Sequence, residues 1–507
     1  GHMIRYRFSS RHLAPAGAFL LAVIIAVVYG PSLFHVARGD QINYLAEMSL
    51  RHGFIQTVLD TFDINRTRVF GAGDEIAFRP VLFFILGLQK YFFGYAFMAW
   101  QAVALLAHVF VCGALYALLC RIRGGSFAWL ATGLFAVAPV NIEAVTWHHI
   151  TPYLFFAGCV LMALRGLHAA QQDEARAGAH TAAAVGWMVP AVFLYETGVF
   201  YAVCMGVFLW LRGRRAAAGV LAGLVVLYAG ASVADLFWRH ADAVLQAGEV
   251  ARQGSLGLTA ANMALLVKWF LSAFFFLAPS DLIPVTRMMV RPEVVGWAWP
   301  WGQAFTLATG MGLAALTAST VLVLQGAVRR GVGKNAGLLV LCLVMIAGYL
   351  AVIAAGRVNI QGEFALRVGL YYPYNFLTLA IVAAALLSSG ARAPVGVPGR
   401  LVRIAGACII TAAIISGGVM TRGVTVQMAR DHRNNRLFLA ALDRYVKAHE
   451  KEPGFSFYVG PDYPGNYSPD WVARRGDPPG RVYTVAEALY FPQFTRDNPR
   501  YVIVFQR

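Results

Sequence analysis

Few residues in this chain are of a type that does chemistry, and they are unevenly placed. Asp40 stands in Arg38-Gly39-Asp40-Gln41, just after a long apolar run. A carboxylate at a membrane–water boundary, beside arginines that keep it ionised and partly removed from water, has the properties of a general base. The same Gly-Asp pair also reads as the N-cap of a helix over 41–50. A second group is Asn141, Glu143, Thr146, Trp147, His148 and His149, between two apolar runs. Adjacent histidines diverge on a helix, and zinc needs three or four ligands at defined spacing. This group therefore reads as a polar cap or as substrate contacts, not as a metal site. Glu196 lies in Phe193-Leu194-Tyr195-Glu196-Thr197-Gly198, where an acid must be paired or face a cavity. Arg79, Lys268, Arg287 and Arg367 are cations beside apolar stretches. They suit a lipid phosphate, or they snorkel to the interface. Together with Asp40 they describe a base facing an anionic leaving group.

These residues need a scaffold, and the composition restricts it. Of 507 residues, 59% are hydrophobic and 13% are charged, against roughly 25% charged in a soluble domain. A soluble enzyme and a disordered chain are excluded. The net charge of +17 comes from basic residues between apolar runs, not from a basic patch on a polar domain, so no nucleic-acid partner is implied. The partner is the lipid bilayer. Cys112, Cys120, Cys159, Cys204, Cys342 and Cys408 all lie in apolar runs and read as small core residues. Abundant Arg, Ala and Gly fit a GC-rich bacterial source. Gly1-His2-Met3 reads as a tag remnant.

A span needs about 20 apolar residues, and apolar windows fall at 13–35, 97–120, 126–140, 150–167, 183–197, 198–211, 216–237, 302–327, 335–356, 370–389 and 403–420, several of them short enough to end below the membrane surface around a cavity. The expectation is an all-α polytopic membrane protein of about eleven transmembrane helices. Basic groups recur after every second span: Arg121 and Arg123, then Arg212, Arg214 and Arg215, then Arg329, Arg330 and Lys334, then Arg392, Arg400 and Arg403. With Arg5, Arg7 and Arg11 they define one side, which the positive-inside rule makes cytoplasmic. The N-terminus is then cytoplasmic and the C-terminus outside, in a bacterial inner membrane. Phe78–Gly94 and 258–279 read as helices along the outer interface. Segment 280–301, with Trp297, Trp299 and Trp301, reads as an outer loop. Residues 1–420 form the membrane domain. Residues 421–507 turn polar and read as a small α+β extracytoplasmic (periplasmic) domain, with a helix over Leu437–His449 and strands at Phe455–Val459 and Tyr501–Phe505.

Several motifs occur in an order that resembles the membrane part of the GT-C glycosyltransferases. Asp40 follows span one. Phe78-Arg79-Pro80-Val81-Leu82-Phe83 leads into span two. Ala138-Pro139-Val140-Asn141-Ile142-Glu143-Ala144-Val145-Thr146-Trp147, Tyr195-Glu196-Thr197, Val267-Lys268-Trp269 and Arg367-Val368-Gly369-Leu370-Tyr371-Tyr372-Pro373 follow. The pattern looks nearest to the transmembrane-and-tetratricopeptide protein O-mannosyltransferase-like group, over residues 13–390. It departs at Gln41, where that group has a second acid, at Ala138 for its histidine, and at Tyr195 for its lysine. No tetratricopeptide array follows. The resemblance implies inverting transfer of a sugar from a polyprenyl-phosphate donor to a protein or glycan acceptor. Asp40 matches the catalytic aspartate position. Arg79, Lys268, Arg367 and His149 would hold the donor phosphate, and Asn141, Glu143, Trp147, Glu196, Tyr371 and Tyr372 would bind or support the substrate. No cofactor is implied, although acids distant in sequence can converge on a divalent ion. A glycolipid flippase and a lipid-linked polysaccharide ligase or polymerase are the competing readings. The first conflicts with the lack of internal repeats and with polar residues gathered in loops.

The alternation of basic loops makes a direct prediction. Cysteine placed at Ser468 should react with an impermeant thiol reagent added outside intact cells, and cysteine at Ala216 should not. The reverse pattern would invert the orientation.

Overall fold

The computed structural model describes residues 10–35, 54–60, 79–93, 96–239, 256–275, 300–301, 303–311, 335–358, 371–389 and 397–449, with short strands at 456–459, 482–483 and 503–506. The chain is a multi-pass α-helical membrane protein. Among the described residues eight helices are long and apolar enough to cross a bilayer, and nine if one bent pair is a single span.

The helices in chain order are α1 (Ser10–Tyr29), α2 (Phe54–Asp60), α3 (Pro80–Phe93), α4 (Phe97–Arg123), α5 (Gly125–Val137), α6 (Ile142–Thr146), α7 (Thr151–Gln172), α8 (Ala177–Leu194), α9 (Glu196–Leu211), α10 (Arg215–Arg239), α11 (Leu256–Phe275), α12 (Ala336–Ile353), α13 (Tyr372–Ser389) and α14 (Val397–His449). All eleven expected spans meet a described helix, though 302–327 does so only over 303–311. The count of eleven exceeds the eight or nine because two of the windows hold no spanning helix among the described residues. The window 198–211 becomes α9, whose 16 residues reach only about 24 Å at 1.5 Å per residue. The window 302–327 lies mostly outside the described residues, which hold a helix over 303–311 there. The window 126–140 is not a straight span. It is a helix pair bent by 54°.

The chain forms two compact units. The first comprises Gly1–Gly30, Ala104–Val145 and Ile150–Thr425. Within it α7 packs on α8, α9 on α8 and α10, and α12 on α13. In a bilayer such pairs are held by close approach and polar contacts rather than by apolar burial alone. Gly198 sits against the Ala191 carbonyl, and a Cβ there would overlap that backbone atom. This close approach sets the tight α8–α9 hairpin at Tyr195, the extended residue between the two helices. At one end of this unit Arg123 donates to the Ser388 carbonyl, and Asn335 Nδ2 donates to Ser389 Oγ at 3.0 Å.

The second unit comprises Pro31–Val103, Thr146–His149 and Val426–Arg507. Its α3 has 14 residues, about 21 Å, too short to cross about 30 Å of hydrocarbon. Helix α2 packs on it through Phe54, whose ring lies 5.5 Å from Tyr91 and 6.4 Å from Phe92. Helix α11, the other segment expected along the interface, buries Leu266 and Phe270 in the first unit.

The change in composition at 421 is not a break in the backbone. Helix α14 runs through it for 53 residues, about 80 Å, so the expected boundary falls inside a continuous helix. Leu437–His449 is its last part. Beyond it lie three short strands, β1 (Ser456–Val459), β2 (Val482–Tyr483) and β3 (Ile503–Gln506), in the antiparallel order β2-β1-β3. Phe457 pairs with both Tyr483 and Phe505.

Gly198→Ala should lower the thermal unfolding midpoint of the purified protein by several degrees. The added methyl can be accommodated only by moving the backbone of α8 or α9. An unchanged midpoint would show that the hairpin has room to spare.

Candidate active site

The local structure of the polar motif starts with Pro139. Proline lacks an N–H and disfavours helical geometry in the residue before it. Ala138 accordingly leaves the helix at φ −58°, ψ 124°, and Pro139–Asn141 forms one 3₁₀ turn before α6 begins. This break strands the last carbonyls of α5 in an apolar setting, where each needs a donor. Every one of the last three has one. The Phe135 carbonyl accepts from Asn141 Nδ2 at 2.7 Å and from the Ala138 N–H at 3.3 Å. The Ala136 carbonyl accepts from His108 Nε2 at 3.1 Å, and the Val137 carbonyl from Thr421 Oγ1 at 2.9 Å. Because His108 Nε2 faces a carbonyl it carries the proton. Nδ1 then accepts from the Tyr374 hydroxyl at 2.7 Å.

Helix α14 also holds the end of α1. Thr425 Oγ1 donates to the Val28 carbonyl at 3.1 Å, and Arg422 donates to the Val27 carbonyl. Beyond it a 3₁₀ turn, Gly30–Phe34, leads the chain toward the Asp40 segment. Asp40 itself, like Arg367, Asp74 and Glu75, lies outside the described residues.

Asn141 and Glu143 are wholly buried, at 0% and 1% exposure. Asn141 supports the break directly. His148 and His149 are buried but face different rings. His148 stacks on Phe97 with centroids 6.1 Å apart, and His149 meets Trp147 edge-on at 4.4 Å. Among the described residues no three His, Cys, Asp or Glu side chains gather as a metal site would require.

Two motifs distant in sequence come together on Tyr153 in the first unit. Tyr195, beside Glu196, packs on Tyr153 and Phe156 at 5.2 and 5.7 Å. Tyr371 packs on Tyr153 at 5.2 Å and on Tyr372 at 4.5 Å. The Tyr349 hydroxyl donates to the Tyr372 carbonyl at 2.6 Å and also meets the Tyr153 hydroxyl. Tyr371 and Tyr372 are half-buried, so this aromatic group is not sealed into the core. Glu196 occupies the first turn of α9, where the positive end of the helix favours an acid.

The cations are placed unequally. Arg79 is half-buried at the start of α3, where its carbonyl accepts from the Phe83 N–H at 3.2 Å. Lys268 is exposed on α11, next to buried Phe270, whose ring lies 5.2 Å from Phe376. Lys90 is the cation that the sequence reading passed over. It lies in α3 at 3% exposure, and burial lowers its ammonium from 10.5 to about 7. The signal was available, since Gln89-Lys90 interrupts an apolar run as Lys268 does. The capping roles of His108 and Thr421 carry no such signal, because each depends on a partner far away in the chain.

No protein-family model matches the chain, and no curated protein matches it. Among solved structures it is similar to the archaeal oligosaccharyltransferase AglB from Archaeoglobus fulgidus in complex with an inhibitory peptide and a dolichol-phosphate. The identity is 13% and the TM-score 0.47, over 88% of this chain and 59% of that one. It is also similar to ArnT from Cupriavidus metallidurans in the apo state, at 17% identity and a TM-score of 0.32, over 75% of this chain and 78% of that one. The chain thus spans about three-fifths of the archaeal protein's length.

Lys90 yields a signed pH prediction. Its folded pKa lies below its unfolded value, so between about 10.5 and 7 the unfolded chain binds a proton that the folded chain refuses. This group therefore destabilises the protein progressively as pH falls through that window. Lys90→Met should raise the thermal midpoint most near pH 7 and hardly at all near pH 10.5. A mutant-minus-wild-type difference that is flat across the window would show that Lys90 is charged in the fold.

Proposed function

We propose that the protein is an inverting glycosyltransferase of the GT-C type, moving a sugar from a polyprenyl-phosphate donor to a protein or glycan acceptor. One observation carries the reading most. A helix is broken at Pro139 within an apolar bundle, and the break is followed by a buried Asn141, Glu143, His148 and His149. Irregular backbone and ionisable side chains in such a setting are costly, and they persist where they serve a polar substrate. The order of motifs around this break supports the protein O-mannosyltransferase-like group. The recurring basic loops support eleven spans, a cytoplasmic N-terminus and a bacterial inner membrane. The strands after α14 support a small α+β domain outside the membrane.

In this mechanism the acceptor hydroxyl attacks C1 of the sugar from the face opposite the lipid phosphate. Its proton passes to the Asp40 carboxylate as the new C–O bond forms. The bond from C1 to the phosphate oxygen breaks, and the electron pair leaves on the phosphate, inverting C1. The phosphate leaves readily, so the protein's main electrostatic task is to neutralise the charge gathering on it. Arg79, Arg367, Lys268 and His149 are the groups for that task, with Arg367 the foremost because it opens the late motif of the resemblance and its guanidinium offers a two-pronged contact. Asn141 sets the backbone at the break, and buried Glu143 beside it binds or supports the substrate. Trp147, Glu196, Tyr371 and Tyr372 bind or support the substrate, as the order of motifs implies.

Asp40→Asn should reduce transfer from a polyprenyl-phosphate sugar by roughly 10²–10⁴-fold, while the protein stays monodisperse and binds the donor. Arg367→Ala should weaken donor binding and cripple transfer, and Arg367→Lys should keep a small part of both. Normal turnover by Asp40→Asn would remove it as the base. Normal donor binding by both Arg367 variants would move the phosphate to Arg79 or Lys268.

A further inference from the structure

We propose that a second site, at the end of α7, α8 and α9 that bears Arg212 and Arg214, binds the headgroup of a membrane phospholipid carrying both a phosphodiester and a primary ammonium. A cavity of about 410 Å³ opens there between the three helices. That is the size of a small-ligand site, and it is lined by Gln171, Glu174, Thr181, Arg212 and Arg214 over a floor that includes Leu167 and Phe208. None of these residues belongs to the candidate active site.

The lining is built to receive a polar group. Thr181 is 4% exposed, and its hydroxyl has no hydrogen-bond partner. Both amide atoms of Gln171 are shielded from water and also lack partners. Buried polar atoms are nearly always paired in folded proteins, so three unpaired ones around one cavity point to a ligand that pairs them.

The arginines are held by backbone design. Helix α9 ends in a Schellman turn: the Gly213 N–H donates to the Trp210 carbonyl and the Arg214 N–H to the Leu209 carbonyl, both at 2.9 Å. Gly213 adopts φ +73°, a left-handed conformation that a side chain would resist. The chain reverses there, and Arg212 and Arg214 both line the cavity, while Arg215 lies over the Trp210 ring at 5.4 Å. The Arg212 guanidinium rests over Phe208 at 5.5 Å and against Gly337 of α12, where a Cβ would come within 2.6 Å of its nitrogen. Two guanidiniums set this way match a phosphodiester.

Two further features select the ligand class. Glu174 on the cavity wall would oppose a purely anionic ligand and would pair with an ammonium. The nearby Asp173 is already engaged, accepting from the Arg176 N–H at 3.2 Å and meeting His180 at 3.8 Å. The last turns of α9 also expose Val207, Trp210 and Leu211 at 55%, 58% and 78%. This is an apolar face with an interfacial tryptophan, along which acyl chains can lie while the headgroup enters the cavity.

The test uses the full-length protein, delipidated in detergent, with native mass spectrometry and thermal unfolding as readouts. Dioleoyl phosphatidylethanolamine should be retained and should raise the midpoint more than phosphatidylglycerol or phosphatidylcholine does. Arg212→Gln with Arg214→Gln should weaken that retention by about tenfold or more, as the loss of paired charge-assisted contacts predicts. Glu174→Gln should erase the preference for phosphatidylethanolamine over phosphatidylglycerol while keeping the latter. Gly337→Ala, which mainly displaces Arg212 and presses lightly on Phe208, should weaken retention in part, and it carries the test if the double variant misfolds. Equal retention by wild type and these variants overturns the site. Binding of glycerophosphoethanolamine or inorganic phosphate as tight as that of the lipid overturns the membrane source and leaves a soluble phosphate ligand.

Discussion

The hydrogen bonds made by side chains to the backbone carbonyls at the end of α5 are the interaction on which the rest of the candidate site depends. A helix cannot simply stop within an apolar bundle, because the carbonyls it abandons have no water to turn to. Pro139 and Ala138 force the stop, and three side chains from three places in the chain make it tolerable: Asn141 from the next turn, His108 from α4 and Thr421 from α14. The segment holding the buried polar residues is therefore set locally by Pro139 and made tolerable by tertiary hydrogen bonds.

Helix α14 has a wider role in this than its sequence suggests. Thr421, Arg422 and Thr425 lie within little more than one helical turn. They serve the ends of two helices, α5 through Val137 and α1 through Val27 and Val28. One helix thereby fixes where two segments of the chain leave the regular bundle.

These relations explain what could and could not be read from the sequence. Apolar periodicity locates helices well because hydrocarbon thickness imposes a length, and every one of the eleven windows meets a described helix. It fails at 126–140, where average hydropathy stays high across a 54° bend and only Pro139 marks it. The composition change at 421 lies close to the division between the two units after Thr425, yet the helix continues through it, because composition reports what surrounds a helix and not whether the helix continues. The site residues divide in the same way. Tyr195, Tyr371 and Tyr372 could be named from their motifs. Their convergence on Tyr153 and Tyr349 could not, because aromatic packing between α7, α12 and α13 leaves no periodic trace. Lys90 sat in plain view as a cation in an apolar run.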